Sequence, residues 1–285
     1  MALLERLQTA RPSPVDVGTS LLIASTVFLL RWRHLQRHVA VGEALADVAR
    51  PFEREVPQAR RRVLVVGDSI GVGTGAERAH ESIAGRLAAD FPDVAIVNRA
   101  RNGAKTRDAC VQVAEFEGER FDIILIHVGA NDIFRRTPLS RLAADVDELL
   151  ARASRVGTHV LVTTTPNVGL APAFFAPISW WLTRRSRQVR DLFSRAARRH
   201  GAHYANFFHP RSCDPFSREW QRYYAADRVH PSSECYGYVH RALLRATPLA
   251  HWLAEASAPS DLGADVDELG EERDVEGLAK EAHAR

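Results

Sequence analysis

The stretch Val63-Leu64-Val65-Val66-Gly67-Asp68-Ser69-Ile70-Gly71 decides how the rest of the chain is read. Four consecutive apolar residues, three of them β-branched, suit a short strand buried on both faces. Glycine, aspartate and serine then end it at once. A serine at a strand-to-helix turn, beside glycine, can expose its hydroxyl at the edge of a sheet, near the free N–H groups that open the next helix. Alone the triplet is weak, because glycine and serine are ordinary turn residues. A rival reading overlaps it: Gly71-Val72-Gly73-Thr74-Gly75-Ala76 fits G-x-G-x-x-A, the dinucleotide fingerprint. It starts several residues beyond the strand, and no acidic residue closes a second strand about twenty residues later, which counts against nucleotide binding.

Similar apolar runs recur on the C-terminal side, at Val94–Val97, Ile123–Val128 and Val160–Thr165, with a weaker one at His203–Phe208. Helical periodicity fills the gaps at Glu77–Asp90, Thr106–Phe116, Leu139–Arg155 and Thr183–His200, and again at Ser232–Arg245. Buried strands alternating with amphipathic helices predict an α/β fold. The expected form is a three-layer α/β/α sandwich, flavodoxin-like, with a central parallel sheet of about five strands over residues 56–256. In such a sheet the ligand site lies just past the carboxyl ends of the strands.

Both flanks differ from this core. From Ser257 to Arg285 nine acids face three bases and no aromatic residue occurs, which predicts a disordered tail over 257–285. The whole chain carries a net charge of +3, so the remainder is clearly basic. Its arginines are scattered among helical segments, with no zinc-finger or RNP-type pattern, and no nucleic-acid partner is expected. On the N-terminal side Val17–Leu30 is an uncharged run followed by Arg31, Trp32 and Arg33. As a helix it would span roughly 21 Å, short of a ~30 Å hydrocarbon core, and it lacks the flanks of a cleavable signal. Residues 1–55 are therefore expected to form an accessory apolar helix and linker, packed on the domain or touching a membrane surface through 17–33, and a membrane-spanning anchor stays open. A cytoplasmic location is expected, membrane-associated if that contact forms. Three cysteines with no CxxC spacing read as buried thiols, and a Cys213–Cys235 bridge stays open.

The chemistry-bearing candidates sit where the sheet rule directs. Asn102-Gly103-Ala104 follows the second strand and Gly129-Ala130-Asn131-Asp132 the third. A glycine there allows close approach of a substrate, though most such glycines only serve turns. An Asn amide can donate to an oxyanion, and it is equally a helix cap. Asp227-Arg228-Val229-His230-Pro231 opens the last helical pattern, with a spacing that can set a carboxylate against an imidazole. In isolation that pair reads as an ordinary solvated loop.

Taken together, Ser69, Gly103, Asn131 and His230, with GDS, GxND and DxxH around them, resemble the signature blocks of the SGNH (GDSL-like) hydrolases over residues 62–247. The first block departs mildly, as GDSI. The resemblance implies a serine hydrolase cleaving carboxylic esters through an acyl-enzyme, with Ser69 as nucleophile, His230 as base and Asp227 orienting it. It implies an oxyanion hole from the N–H groups of Ser69 and Gly103 and the amide of Asn131. It implies a small-molecule ester partner and neither metal nor cofactor. Asp68 and Asp132 would brace the loops, and His127 would be a core histidine. An acyltransferase using the same triad, or a catalytically silent lipid-binding module, are the alternatives. Pro166–Leu182 reads as a long proline-rich, aromatic loop; Phe174, Phe175, Trp180 and Trp181 could line an acyl pocket or merely cover the core or the N-terminal helix, and acyl or lipid-like esters are the expected substrates. Oligomeric state is left open.

Overall fold

Five parallel strands form one sheet in a computed structural model of the protein that describes residues 14–164 and 166–255, with side chains from residue 18 onward. The strands are β1 (Arg61–Gly67), β2 (Val94–Asn98), β3 (Phe121–His127), β4 (Gly157–Thr163) and β5 (His203–Ala205). Their order is β2-β1-β3-β4-β5, the doubly wound order expected of a flavodoxin-like sheet. Registers such as Val65 beside Leu125 and Leu125 beside Leu161 line up the apolar runs. The predicted tail at 257–285 lies outside the described residues.

Alternation along the strands explains the three layers. Val63, Val65, Ile123 and Leu125 point to one face, where they pack on Leu87, Tyr236, Leu243 and Trp252. These come from α3 (Ile83–Asp90), α10 (Ser233–Ala246) and α11 (Leu249–Ala254). Leu64, Val66, Ile124 and Ile126 point to the other face, against Val113, Leu149 and Phe193. Those belong to α4 (Thr106–Ala114), α6 (Leu139–Val156) and α7 (Ile178–Arg199). Each fully buried branched side chain contributes about 1.5–3 kcal/mol, and Ile124→Ala, at 0% exposure, would cost about 2–5 kcal/mol.

The chain runs from β1 outward to β2 and returns to place β3 on the other side of β1. Brief helices open directly after the two central strands: α2 (Ser69–Val72) after β1 and α5 (Ala130–Phe134) after β3. Two more, α8 (Pro215–Arg218) and α9 (Trp220–Tyr223), precede the Asp227 loop. The carboxyl ends of β1 and β3 flank the reversal of strand order, where doubly wound sheets place their ligands.

Four boundaries differ from the sequence expectation. Helix α1 runs unbroken over Pro14–Val48, so much of the expected linker is helical. Residues 31–48 hold no proline and many good helix formers, and Leu35, His38 and Gly42 bury one face. Helix α3 starts at Ile83 instead of Glu77, because Ser82 Oγ accepts from the Gly85 N–H at 3.1 Å as its cap. Helix α7 starts at Ile178, so Trp180 and Trp181 are helical residues, not loop residues. Strand β5 stops at Ala205, where Asn206 Oδ1 takes the Phe208 N–H at 3.0 Å and turns the chain.

Candidate active site

The turn after β1 is fixed by contact with β3. A side chain at Gly67 would put its first carbon 1.9 Å from the His127 carbonyl oxygen, so only glycine fits. The Asp68 N–H donates to that same oxygen at 2.8 Å. Asp68 then caps α2, its Oδ1 accepting from the Ile70 N–H at 3.0 Å. Ser69 is thereby held as the first residue of α2, at the sheet's carboxyl edge. Burial pushes the Asp68 carboxyl up to about 7, against the pull of the Ile70 N–H and His230.

Asp227 and His230 meet Ser69 in a continuous chain of hydrogen bonds. Asp227 Oδ2 lies 2.5 Å from His230 Nδ1, and His230 Nε2 lies 3.2 Å from Ser69 Oγ. Ionised carboxylate only accepts, so Nδ1 carries the donated proton and Nε2 is left to accept from the serine. The other carboxylate oxygen of Asp227 takes the N–H groups of Val229 and His230, both at 3.0 Å. Burial, at 1% exposure, works to raise the Asp227 carboxyl. The hydrogen bond and charge of His230 and the two N–H donors outweigh it and hold the group below its ordinary value. The loop closes on itself through Ala225 N–H to His230 O at 2.9 Å and Arg228 N–H to Ala225 O at 2.9 Å. Arg228 adopts a left-handed φ of 58° to make that turn, a conformation uncommon outside glycine.

The other wall of the cleft comes from the ends of β2 and β3. Asn131 is the second residue of α5, whose cap is Gly129 without a side-chain bond, so Asn131 does not cap the helix. Its Nδ2 donates to the Ala104 carbonyl at 3.0 Å. Asn102, next to Gly103, accepts from Thr74 Oγ1 at 2.6 Å. Asp132 is 1% exposed, and its Oδ2 accepts from both the N–H and the hydroxyl of Thr106 at 2.9 and 2.7 Å. It braces the Gly103 loop against α5, as the sequence reading expected. His127 is buried and pushed down to about 4 by desolvation, hence neutral, with Nδ1 2.6 Å from Thr163 Oγ1.

Helix α1 reaches both walls. Gly42 faces Asp227 so closely that a side chain there would begin 2.9 Å from Oδ2. Asn102 Nδ2 donates to the Ala46 carbonyl at 2.8 Å. Residues 35–49, part of the segment read as accessory, thus lie against the loops carrying Asp227 and Gly103. Two further residues escaped the sequence reading. Buried Gln112 brackets Gly67, its Oε1 accepting the Gly67 N–H at 2.6 Å and its Nε2 donating to the Gly67 carbonyl at 3.1 Å. Asn98 Nδ2 donates to the Gly71 carbonyl at 2.9 Å. The signal for Gln112 was a polar residue on the apolar face of the 106–116 pattern.

The four aromatic residues of 166–182 are spread out. Phe174 packs on Phe134 at 5.7 Å and on the core, and Phe175 packs on Phe28 of α1 at 5.8 Å. Trp180 is exposed, and Trp181 lies under the Arg136 guanidinium at 5.1 Å. Trp180 borders an open hollow with Gly169 and Leu170, and Trp181 another with Arg136 and Pro138. A separate apolar cavity of about 50 Å³ lies against Ile70, Phe207, Phe216, Pro231 and Tyr236, neighbours of Ser69 and His230 among them. Cys110, Cys213 and Cys235 are all free thiols. Among the described residues, no group of three or more His, Cys, Asp or Glu is placed to hold a metal ion.

The family model described as the GDSL-like Lipase/Acylhydrolase family matches residues 65–238. Solved structures share the fold. An alpha/beta hydrolase enzyme from the metagenome of Lake Arreo, Spain, is 24% identical with a TM-score of 0.51, over 66% of this chain and 95% of its own. A catalytic mutant of an acetylxylan esterase from Geobacillus stearothermophilus is 20% identical with a TM-score of 0.50, over 66% of this chain and 94% of its own. The psychrotrophic esterase EstA from Pseudoalteromonas sp., in a structure inhibited by monoethylphosphonate, is 18% identical with a TM-score of 0.53, over 68% and 100%. None of the curated proteins compared matches the chain.

Proposed function

Because the chain belongs to the GDSL-like lipase/acylhydrolase family and is a carboxylic ester hydrolase, we propose that Ser69, His230 and Asp227 are its catalytic triad, acting through an acyl-enzyme. The observation that carries this reading is the unbroken path from Asp227 Oδ2 through both ring nitrogens of His230 to Ser69 Oγ.

Ser69 Oγ attacks the ester carbonyl carbon while His230 Nε2 takes its proton. The tetrahedral intermediate collapses, the bond to the alcohol oxygen breaks, and His230 returns the proton to the leaving alcohol. Water then attacks the acyl-serine with His230 again as base, releasing the acid and restoring Ser69. Asp227 stabilises the imidazolium formed in each half-reaction. The backbone N–H groups of Ser69 and Gly103 and the Asn131 amide hold the oxyanion. The Ala104 carbonyl orients Asn131 through one N–H of its amide and leaves the second for the substrate. Donors of this kind are each worth roughly 2.7–4 kcal/mol of barrier.

Acyl or lipid-like esters are the substrate class. The apolar space against Ile70 and Pro231, the sequence neighbours of Ser69 and His230, supports an apolar acyl group. Turnover of p-nitrophenyl esters of increasing chain length tests both parts. The native protein is expected to hydrolyse these esters, their relative rates giving the acyl preference, and Ser69→Ala to fall by roughly 10⁶. A Ser69→Ala protein that still turns over would remove the serine mechanism.

A further inference from the structure

The first half of α1 presents an apolar surface that the described chain leaves open. Leu21, Leu22, Ile23, Leu29 and Leu30 are each between 59% and 69% exposed, and Val27 and Phe28 nearly half. Helical neighbours stand about 100° apart, so three apolar residues in a row already cover more than half the circumference. Apart from the side where Phe28 meets Phe175, the exposed apolar residues are spread round the helix between Thr19, Ser20, Ser25 and Thr26, unlike a stripe facing a core. A second protein surface would cover one side of such a helix. A lipid phase covers every side.

The flanking charges name the kind of lipid. No acidic residue occurs from Val17 to Gly42, while Arg31, Arg33 and Arg37 follow the apolar turns. Trp32 stands at the boundary, stacked on Phe28 at 6.4 Å. Tryptophan between an apolar run and arginines is the pattern of a headgroup boundary, and clustered arginines favour anionic phosphates. Residues 18–30 would extend roughly 20 Å, against ~30 Å of hydrocarbon. Among the described residues no helix is long and apolar enough to cross a membrane.

We propose that residues 18–37 of α1 dock on an anionic phospholipid surface, with the apolar turns among the acyl chains and Arg31, Arg33 and Arg37 at the phosphates. The far end of the same helix touches Asp227 and Asn102, so docking would hold the cleft beside the lipid surface. Only the consequence that esters reach the cleft from that surface rests on the proposed function; the docking does not.

Flotation of the full chain with vesicles is the test, run beside turnover of p-nitrophenyl acetate in solution. The native protein should float with phosphatidylglycerol vesicles and bind phosphatidylcholine vesicles at least about tenfold more weakly, with binding reduced by salt. Leu22→Glu/Leu29→Glu, at two exposed positions, should lose roughly tenfold or more of that binding and keep its turnover of the soluble ester. Arg33→Ser/Arg37→Ser should lose about tenfold on anionic vesicles only. A native protein that stays unbound, binds both vesicle types equally, or binds unchanged after the leucine substitutions would overturn the proposal. So would a dimer in sedimentation that those substitutions dissolve, since a second copy would then own the surface. Vesicle binding without any turnover would leave docking standing and remove the catalytic reading instead.

Discussion

The two walls of the cleft are built by different means. The acid–base wall is local: Asp227 and His230 sit three residues apart in one loop, closed by its own hydrogen bonds and carrying a left-handed Arg228. The oxyanion wall is assembled from afar. Gly103 follows β2 and Asn131 follows β3, and the pair is tied by Asn131 to Ala104 and Thr106 to Asp132. A local wall can be disturbed at one point and lost. A distributed wall should fail by degrees, because each donor is held by a different element. Helix α1 is the element common to both, through Gly42 on one side and Ala46 on the other.

The largest effect should come from the local wall. Asp227→Asn keeps the shape of the loop but offers His230 an amide in place of a carboxylate, so the imidazole can settle in the wrong tautomer. The kcat is expected to fall on the order of 10⁴-fold with the fold intact, a drop of the size such a change causes in serine proteases. Single-turnover kinetics with p-nitrophenyl acetate would check it; a loss no larger than that of Asn131→Ala would equate the two walls, and one below tenfold would remove Asp227 from the triad.

Asn131→Ala should cost less, about 10²–10³ in kcat, with KM nearly unchanged, because the donor acts mainly in the transition state. The same variant also loses the bond to Ala104 O. A fall in melting temperature with turnover preserved would assign Asn131 to holding the Gly103 loop alone.

Gly42→Ala tests whether α1 positions Asp227. Alanine inside a helix is ordinarily favoured over glycine by about 0.5–1 kcal/mol. Here its added carbon would meet Asp227 Oδ2 at 2.9 Å. Expected is a loss of roughly ten- to a hundredfold in kcat through a displaced carboxylate, with little change in KM and no matching fall in melting temperature. Unchanged kcat would show that the helix rests on the loop without aligning it.

A last effect leaves turnover aside: it is on stability and depends on pH. The Asp68 carboxyl is raised from 3.8 to about 7 by burial. A raised folded value means the folded state is favoured while the group stays protonated. That contribution is full below 3.8 and lost as pH climbs through about 7. Asp68→Asn removes the titration, so native stability relative to the variant should decline between pH 4 and pH 8. A constant difference in melting temperature across that range would contradict the assignment.

Much of this arrangement was legible in the sequence because it is written in short range. The run Val63–Val66 ending in Gly-Asp-Ser, and Asp227 three residues from His230, need only local geometry to be read. The alternation of apolar runs with helices implies a parallel sheet covered on both faces. What stayed hidden depends on contacts across many residues. Nothing local says that Gly42 will meet Asp227, 185 positions away, or that Gln112 will bracket Gly67. The apolar run of α1 stops at Leu30, and nothing local marks how far the helix continues. Its continuation to Val48 rests on packing of Leu35 and His38. The prolines around Trp180 and Trp181 point to a loop, yet Pro177 is the cap of α7 and both residues are helical.

The central claim is that Ser69 is a nucleophile activated by His230. Its most direct test is intact-mass and peptide mapping after reaction with a fluorophosphonate. One adduct per chain is expected, located on the peptide containing Ser69, with labelling abolished in Ser69→Ala and strongly slowed in His230→Ala. An adduct on any other residue, or labelling that proceeds at the native rate without His230, would contradict it.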